Sequence, residues 1–339
     1  MTNIAIVGAG NIGKRHAKWA NKYGNLVAVA DVKISRATLL AKKYKCNAYS
    51  SLTNMLVSQS NIDLVAICTP NGLHVAHTIT ALEFGNNVLC EKPMALTRSG
   101  CEDMINTAEK YNKRLFIVKQ NRFNPPVQVV KKLLDEDKLG KILSVQLSCF
   151  WNRNDAYYDE SPWRGGKNTD GGILYTQFIH FIDLMRYLLG DINEVFAMEN
   201  NFIHKETVEF ADTVISIFKF NNGVLGTGHF SINAYKENME GSLTIFGENG
   251  TVKIGGKYLN ILEYQNIKGY KIPQGSLIGG CNDYGVYKGS SSRHDLVYKN
   301  VIATLEGKEN IMASCIDGMK VVEIVEKIYR SARNNDTIS

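Results

Sequence analysis

Apolar residues in the first part of the chain come in short runs set between amphipathic stretches. Residues 3–7, NIAIV, read as a buried strand, followed by a helical stretch that ends near Gly24. NLVAVAD gives a second strand ending on Asp31, and SRATLLAKKY a helix. IDLVAIC is a third strand, and GLHVAHTITALEFG a helix closed by Gly85. NNVLCEKP is a fourth strand, TRSGCEDMINTAEKYN a helix with Thr97 as its N-cap, and RLFIVKQN a fifth strand. Strands alternating with helices predict a doubly wound parallel sheet over residues 1–120.

The pattern changes after about residue 120. NPPVQVVKKLLDEDKLG reads as a helix entered through prolines and ended by Gly140. KILSVQLSCFW is a longer strand, and GGILYTQFIHFIDLMRYLLG one long helix. Strand-like runs follow, with hairpin signals at Asn222-Gly223 and Asn249-Gly250. A Gly/Ser-rich stretch, 275–292, reads as a loop. Two helices close the chain, the last opened by a capping-box-like Ser314 and Asp317. Residues 121–339 are therefore expected to form an α+β domain on a large, mostly antiparallel open sheet, its far face an oligomer interface.

Composition changes this picture little. A chain of 339 residues is long for one core, in line with two domains. The net charge of +6 is scattered, with no block of five or more like charges, which argues against a nucleic-acid partner. No apolar run reaches the roughly 18 residues of a membrane helix. A strand pattern already under way at Asn3 leaves no room for a signal peptide, so a cytoplasmic location is expected. The seven cysteines include no C-x-x-C pair and read as small buried hydrophobes of a reducing compartment; no metal is expected.

The candidate chemistry lies at strand ends. GAGNIG is G-x-G-x-x-G between a strand and a helix, and Asp31 ends the next strand 18 residues past Gly13. Gly8 permits the tight turn, Gly10 lets the backbone approach a pyrophosphate, and Gly13 lets the helix pack on the strand. Asn11 and Ile12 open that helix, whose N-terminal amides favour phosphate. Asp31 can accept from ribose hydroxyls and would repel a 2′-phosphate. NAD is thus expected over NADP, with Lys33 and Arg36 as the counterweight. Thr69, Asn71 and His74 in CTPNGLH read either as turn chemistry or as a loop over the cofactor. Lys92, in Glu91-Lys92-Pro93, reads either as a surface lysine before a turn or as a proton-transfer group beside a nicotinamide. Thr176, His180 and Asp183 share one face at helical spacing; His180 is a core histidine or a ligand-facing one, the paired glycines at 171 and 172 favouring the latter.

Together, GAGNIG, CTPNGLH, CEKPMALT and the glycine-led helix carrying His180 resemble the glucose–fructose oxidoreductase/inositol dehydrogenase family, Gfo/Idh/MocA, over essentially the whole chain. The resemblance implies a Rossmann domain, a cis Lys92-Pro93 bond, and proton transfer by Lys92 with His180. Within the family, VKQNRFNPPV, NDAYYDESPWRG and DGGILYTQFIHFID look like the subgroup that oxidises C3 of UDP-N-acetyl-2-amino-2-deoxyglucuronate with NAD, typically as tetramers. Thr176 departs from the asparagine or aspartate usual at that position. It can hydrogen-bond a sugar hydroxyl but cannot act as a base near neutral pH.

The expected site follows. Catalysis falls to Lys92 and His180. Gly8, Gly10, Asn11, Ile12, Gly13, Asp31, Thr69, Asn71, His74, Glu91, Lys92 and Gln120 face NAD. Asn121, Arg122, Tyr158, Trp163, Arg164, Thr176 and Gln177 face the sugar, with Arg122, Arg153 and Arg164 available to its diphosphate and carboxylate. A homo-oligomer, dimer or tetramer, is expected, with no membrane partner. The alternatives are a dehydrogenase of a free sugar or of a cyclitol such as inositol, or a non-catalytic NAD-sensing regulator.

Overall fold

A computed structural model describes residues 1–273, 281–283 and 288–339. Its order opens with β1 (Asn3–Val7), α1 (Asn11–Tyr23), β2 (Asn25–Ala30), α2 (Ile34–Tyr44), β3 (Asn47–Tyr49), α3 (Leu52–Ser58), β4 (Leu64–Ile67), α4 (His74–Glu83), β5 (Asn87–Cys90), α5 (Arg98–Lys110) and β6 (Leu115–Ile117). These strands form a six-stranded parallel sheet in the order β3-β2-β1-β4-β5-β6, the doubly wound arrangement expected. The strands are continuous apolar runs because helices cover both faces: every residue of β4 is buried. Thr97 caps α5 as expected, accepting from the Gly100 amide at 3.1 Å. The sequence pattern did not reveal β3 and α3. A three-residue edge strand is too short to show a period, and the Ser51 cap of α3 became visible only in its bond from the Asn54 amide.

The order continues with α6 (Pro125–Asp135), β7 (Ile142–Phe150), α7 (Asp155–Asp159), α8 (Ile179–Leu189), β8 (Ile192–Asn200), β9 (Thr213–Phe220), β10 (Leu225–Ser231), β11 (Glu240–Gly247), β12 (Gly250–Gly255) and β13 (Ile261–Ile267), then α9 (His294–Leu305) and α10 (Cys315–Asn334). A seven-stranded sheet runs β13-β12-β11-β7-β10-β9-β8, antiparallel except for the parallel pair β7 and β10. Both expected hairpins are present, β9 to β10 and β11 to β12. The loop expected over 275–292 lies largely outside the described residues; where described, Cys281–Asp283 pairs antiparallel with Lys288–Ser291.

Two helices differ from expectation. The first, α6, stops at Asp135 instead of running to Gly140, because Asp137 takes a left-handed φ of 53°. The long helix over 171–190 is broken in two ways. Gly171 and Gly172 stand outside it at φ of 88° and 115°, and Leu174–Phe178 forms a π-helical turn before α8. Gly172 cannot carry a side chain, since a Cβ there would lie 2.5 Å from the Tyr329 hydroxyl, which in turn accepts the Leu174 amide at 3.1 Å. The wider turn shifts Thr176 out of the α-helical phase assumed from spacing.

The sheet alternates along β9 between buried and exposed positions. Its covered face packs Trp151 against Phe178 and Phe181, both at 5.5 Å, with Phe230 beyond. Its open face carries Ile215, Ile217, Met198 and Leu225, all more than half exposed. Ile215 stands directly across from Met198.

The chain divides into two compact units, and the boundary is not a single cut near residue 120. Met1–Lys119 is joined by His294–Val322, and Gln120–Arg293 by Glu323–Ser339, so the division falls inside α10. The physical reason is packing in the first unit. A Cβ on Gly318 would touch Ile117 and Met94 at 2.9 and 3.0 Å, and Ser314 bridges to Phe116. Ser314 and Asp317 do form the reciprocal capping box.

Candidate active site

In the first unit, strand order reverses between β1 and β4, so the carboxyl ends of these two strands flank the switch point, with the end of β5 beside β4. The first turn is fixed by contact. A Cβ on Gly8 would lie 2.4 Å from the Cys68 carbonyl oxygen, and one on Gly13 only 1.8 Å from the Gly8 carbonyl oxygen. Gly8 also has φ of 95°, which favours glycine. Gly10 differs: a Cβ there would meet nothing within 4 Å, so the space beside it is open to a phosphate. The helix begins there with no side-chain cap, and Asn11 and Ile12 occupy its first turn. A dinucleotide pyrophosphate fits this geometry.

Asp31 is nearly buried. Its Oδ2 accepts the Ala9 amide at 2.7 Å and its Oδ1 the Lys33 amide at 2.8 Å. A carboxylate has about four lone-pair sites, so capacity remains for ribose hydroxyls. Fluorescence titration is expected to show tighter binding of NADH than of NADPH. Equal or tighter NADPH binding would remove the assignment of Asp31.

The second and third turns interlock. His74 is buried, with Nδ1 at 2.7 Å from the Pro93 carbonyl and Nε2 at 2.9 Å from the Thr69 carbonyl. Burial lowers its pKa, against the pull of those carbonyls. The ring therefore lies between the two turns, and as a neutral imidazole it donates to one of the two carbonyls. Thr69 turns its hydroxyl to His77 at 3.1 Å, and Asn71 is buried at the start of a short 3-10 turn.

Lys92 is half-buried, directly after β5, and the Lys92-Pro93 bond is cis as the resemblance implied. Glu91 is only 5% exposed. Its carboxylate meets His16 Nε2 at 2.9 Å, His294 Nε2 at 3.2 Å and the Lys92 amide at 3.0 Å. The Glu91 carboxylate is thus enclosed by protein donors. Sequence reading missed both histidines. His16 left a signal, a histidine on the face of α1 that buries Gly13, Ala17 and Ala20; His294 left none. The three side chains have a metal-binding composition, but each close approach is that of a hydrogen bond.

In the second unit, Gln120 and His180 are both buried, with Gln120 Nε2 at 3.1 Å from His180 Nε2. Asn121 is 1% exposed, and neither of its amide atoms has a hydrogen-bond partner among the described residues. Arg122 is committed elsewhere: its Nε and Nη2 bind Asp183 at 3.0 and 2.8 Å, and the guanidinium lies 4.6 Å from the Tyr187 ring. That buried fork engages the guanidinium within the second unit.

Tyr157, which the sequence did not single out, centres the next cluster. Arg164 lies 4.1 Å from its ring and Arg153 5.1 Å. Gln177 donates to the Tyr157 hydroxyl at 2.7 Å and accepts from Arg153 Nε at 2.8 Å, so its amide is already engaged. Arg164 also donates to Glu160 at 2.6 Å, and Trp163 is half-buried beside it. Tyr158 is buried edge-on to Tyr157 at 5.0 Å, and burial pushes its phenol pKa far up.

Thr176 donates its hydroxyl proton to Asp170, a buried carboxylate whose pKa burial raises. Its oxygen remains an acceptor by type, which suits a sugar hydroxyl. Thr176→Val is expected to raise the substrate KM several-fold, about 1 kcal/mol for one hydrogen bond, with kcat little changed. Loss of kcat at unchanged KM would make Thr176 part of the proton transfer.

Residues 2–119 match the family model described as the oxidoreductase family with an NAD-binding Rossmann fold, and residues 127–253 match the GFO/IDH/MocA C-terminal domain. The chain resembles the WlbA dehydrogenase from Bordetella pertussis, solved with NADH and UDP-GlcNAcA, at 30% identity and TM-score 0.87, covering 99% of this chain and 98% of that one. The WlbA enzyme from Chromobacterium violaceum, solved with the same two ligands, matches at 32% identity and TM-score 0.91, covering 100% and 95%. The 2,7-anhydro-N-acetylneuraminate hydratase of Escherichia coli is 29% identical over 283 residues, 78% of this chain and 73% of that protein. The glycine turn open at Gly10, the Lys92 turn and a match running through both halves together make this chain a member of the Gfo/Idh/MocA oxidoreductase family, an NAD-dependent dehydrogenase of the sugar type.

Proposed function

We propose that the protein oxidises the C3 hydroxyl of a nucleotide sugar, UDP-N-acetyl-2-amino-2-deoxyglucuronate being the best-supported substrate. The observation that carries this is the likeness to two dehydrogenases solved with NADH and UDP-GlcNAcA, at 30% and 32% identity over essentially the whole chain. Arg153 and Arg164 meet at the Tyr157 ring, where their guanidinium groups bind Gln177 and Asn238, and Glu160, respectively.

Bound NAD supplies the hydride acceptor. Lys92 takes the proton from the reacting hydroxyl, and His180, oriented by Gln120, shares that transfer. Thr176 accepts a hydrogen bond from the sugar and positions it. A placed acid–base group contributes about 10² to 10⁴ in rate.

The test supplies an external oxidant such as 2-oxoglutarate, so that retained NADH does not limit the assay to one turnover. Mass spectrometry then follows the sugar for loss of two hydrogens. UDP-N-acetylglucosaminuronate is expected to react, with UDP-N-acetylglucosamine, glucose and myo-inositol run in parallel. Reaction of a free sugar or inositol alone would refute the nucleotide-sugar assignment.

The open face of the seven-stranded sheet supports a homo-oligomer, dimer or tetramer, because Ile215, Ile217, Met198 and Leu225 form a contiguous apolar patch there. Light scattering is expected to give a multiple of the chain mass, and Ile217→Asp to lower it. A monomeric wild-type protein would exclude this interface. Among the described residues, no helix is long and apolar enough to cross a membrane.

A further inference from the structure

A buried ionised carboxylate is costly unless donors surround it, and an apolar residue would finish β5 at lower cost. Glu91 is nevertheless there, and three separate segments supply its donors. His16 comes from α1, with Nε2 2.9 Å from Oε1. His294 opens α9, with Nε2 3.2 Å from the same oxygen. The Lys92 amide donates to Oε2 at 3.0 Å. Tyr298, one turn beyond His294, places its hydroxyl 2.9 Å from His16 Nδ1.

The chemistry orders these bonds. An ionised carboxylate only accepts, so both histidines present Nε2–H to Glu91, and His16 Nδ1 accepts the Tyr298 hydroxyl. Burial alone would raise the Glu91 pKa, but the bonds from His16 and His294 outweigh it and hold the carboxyl well below its ordinary range. Burial pushes the Tyr298 phenol well up, which keeps it a donor. The second oxygen of this fixed carboxylate then holds the peptide of Lys92 itself.

We propose that His16, Glu91, His294 and Tyr298 form a positioning network for Lys92. Glu91 anchors the Lys92 amide, and α9 completes the anchor from far along the chain, so that the lysine amine keeps one aim at the reacting hydroxyl. None of the four touches substrate in this role. The inference rests on the reading of Lys92 as the proton-transfer group.

The full chain is tested as four variants: His294→Phe, which keeps a ring and removes the donor; His294→Gln, which restores an N–H; Tyr298→Phe; and Lys92→Met. Turnover is measured with whichever panel sugar reacts, NADH binding by fluorescence, and folding by thermal melt. His294→Phe is expected to lower kcat by about tenfold to 10²-fold, the scale of a misplaced reacting group, with KM and NADH binding little changed. His294→Gln should recover most of that loss, and Tyr298→Phe should show a smaller one. A folded His294→Phe protein with wild-type kcat would overturn the network, as would a His294→Gln protein no better than His294→Phe. Should His294→Phe not fold, wild-type kcat in Tyr298→Phe overturns it. Full turnover in Lys92→Met instead defeats the reading of Lys92, and the two failures are told apart because that variant is read separately. The purified protein is also assayed for metal: a stoichiometric divalent ion, whose chelation abolishes turnover, would replace the hydrogen-bonded network with a metal site.

Discussion

Lys92→Met is expected to bind NADH as the wild type does and to lose at least about 10²-fold in kcat, the low end for a group that moves a proton in the transition state. Methionine keeps an unbranched side chain of similar length, so the cis turn after β5 and the packing of Met94 and Ala95 should survive. The pyrophosphate turn at Gly8 to Gly13 is a separate structure and is not disturbed. His180→Ala should lose less, because its ring shares the transfer and does not initiate it. Stopped-flow NADH absorbance in a single turnover separates the chemical step from release of product. A Lys92→Met enzyme with near wild-type kcat would sink the mechanism.

The largest effect on stability is expected at Asp183. Both partners of its pair with Arg122 are 2% exposed, and the pair is bidentate. Asp183→Ala leaves a guanidinium buried without its carboxylate, which costs about 3–5 kcal/mol. Urea unfolding should show a lower midpoint with an unchanged slope, the mark of lost stability alone. Asp183→Asn should cost less, since its carbonyl still accepts one bond. The experiment also judges Arg122. If Asp183→Ala leaves the midpoint in place and changes substrate KM, Arg122 is a ligand for the sugar and not a brace inside the second unit.

Local features of this protein were legible because their causes are local. The strand, glycine turn and helix from Asn3 to Tyr23 depend on residues within one supersecondary unit, and the spacing to Asp31 followed. The caps at Thr97 and at Ser314 with Asp317 were legible for the same reason. What escaped depends on partners distant in sequence. His294 meets Glu91 across 203 positions, and nothing near either residue announces the other. The π turn at Leu174–Phe178 keeps company with Tyr329, whose hydroxyl receives the Leu174 amide across 155 positions. Arginines were visible as cations, but burial was not. Arg122 and Arg164 read alike in sequence, and in the structure Arg122 is paired with Asp183 and Arg164 with Glu160. His74 reads in sequence as turn chemistry or as part of a loop over the cofactor, and in the structure its two ring nitrogens lie against carbonyls of two different turns.

The return of His294–Val322 to the first unit has a consequence for synthesis of the chain. A ribosome releases Met1–Lys119 early, with every strand of the parallel sheet already present. At about 5–20 residues per second, the segment carrying α9 emerges on the order of ten seconds or more later. Through that interval Glu91 has His16 but not His294, and Ile117 and Met94 lack the cover that Gly318 brings. The nascent nucleotide-binding half therefore waits, incompletely closed, for a part of itself that is translated after the whole of the second sheet. A truncated transcript that stops before His294 encodes all the strands of both sheets named here and still leaves the first of them unfinished.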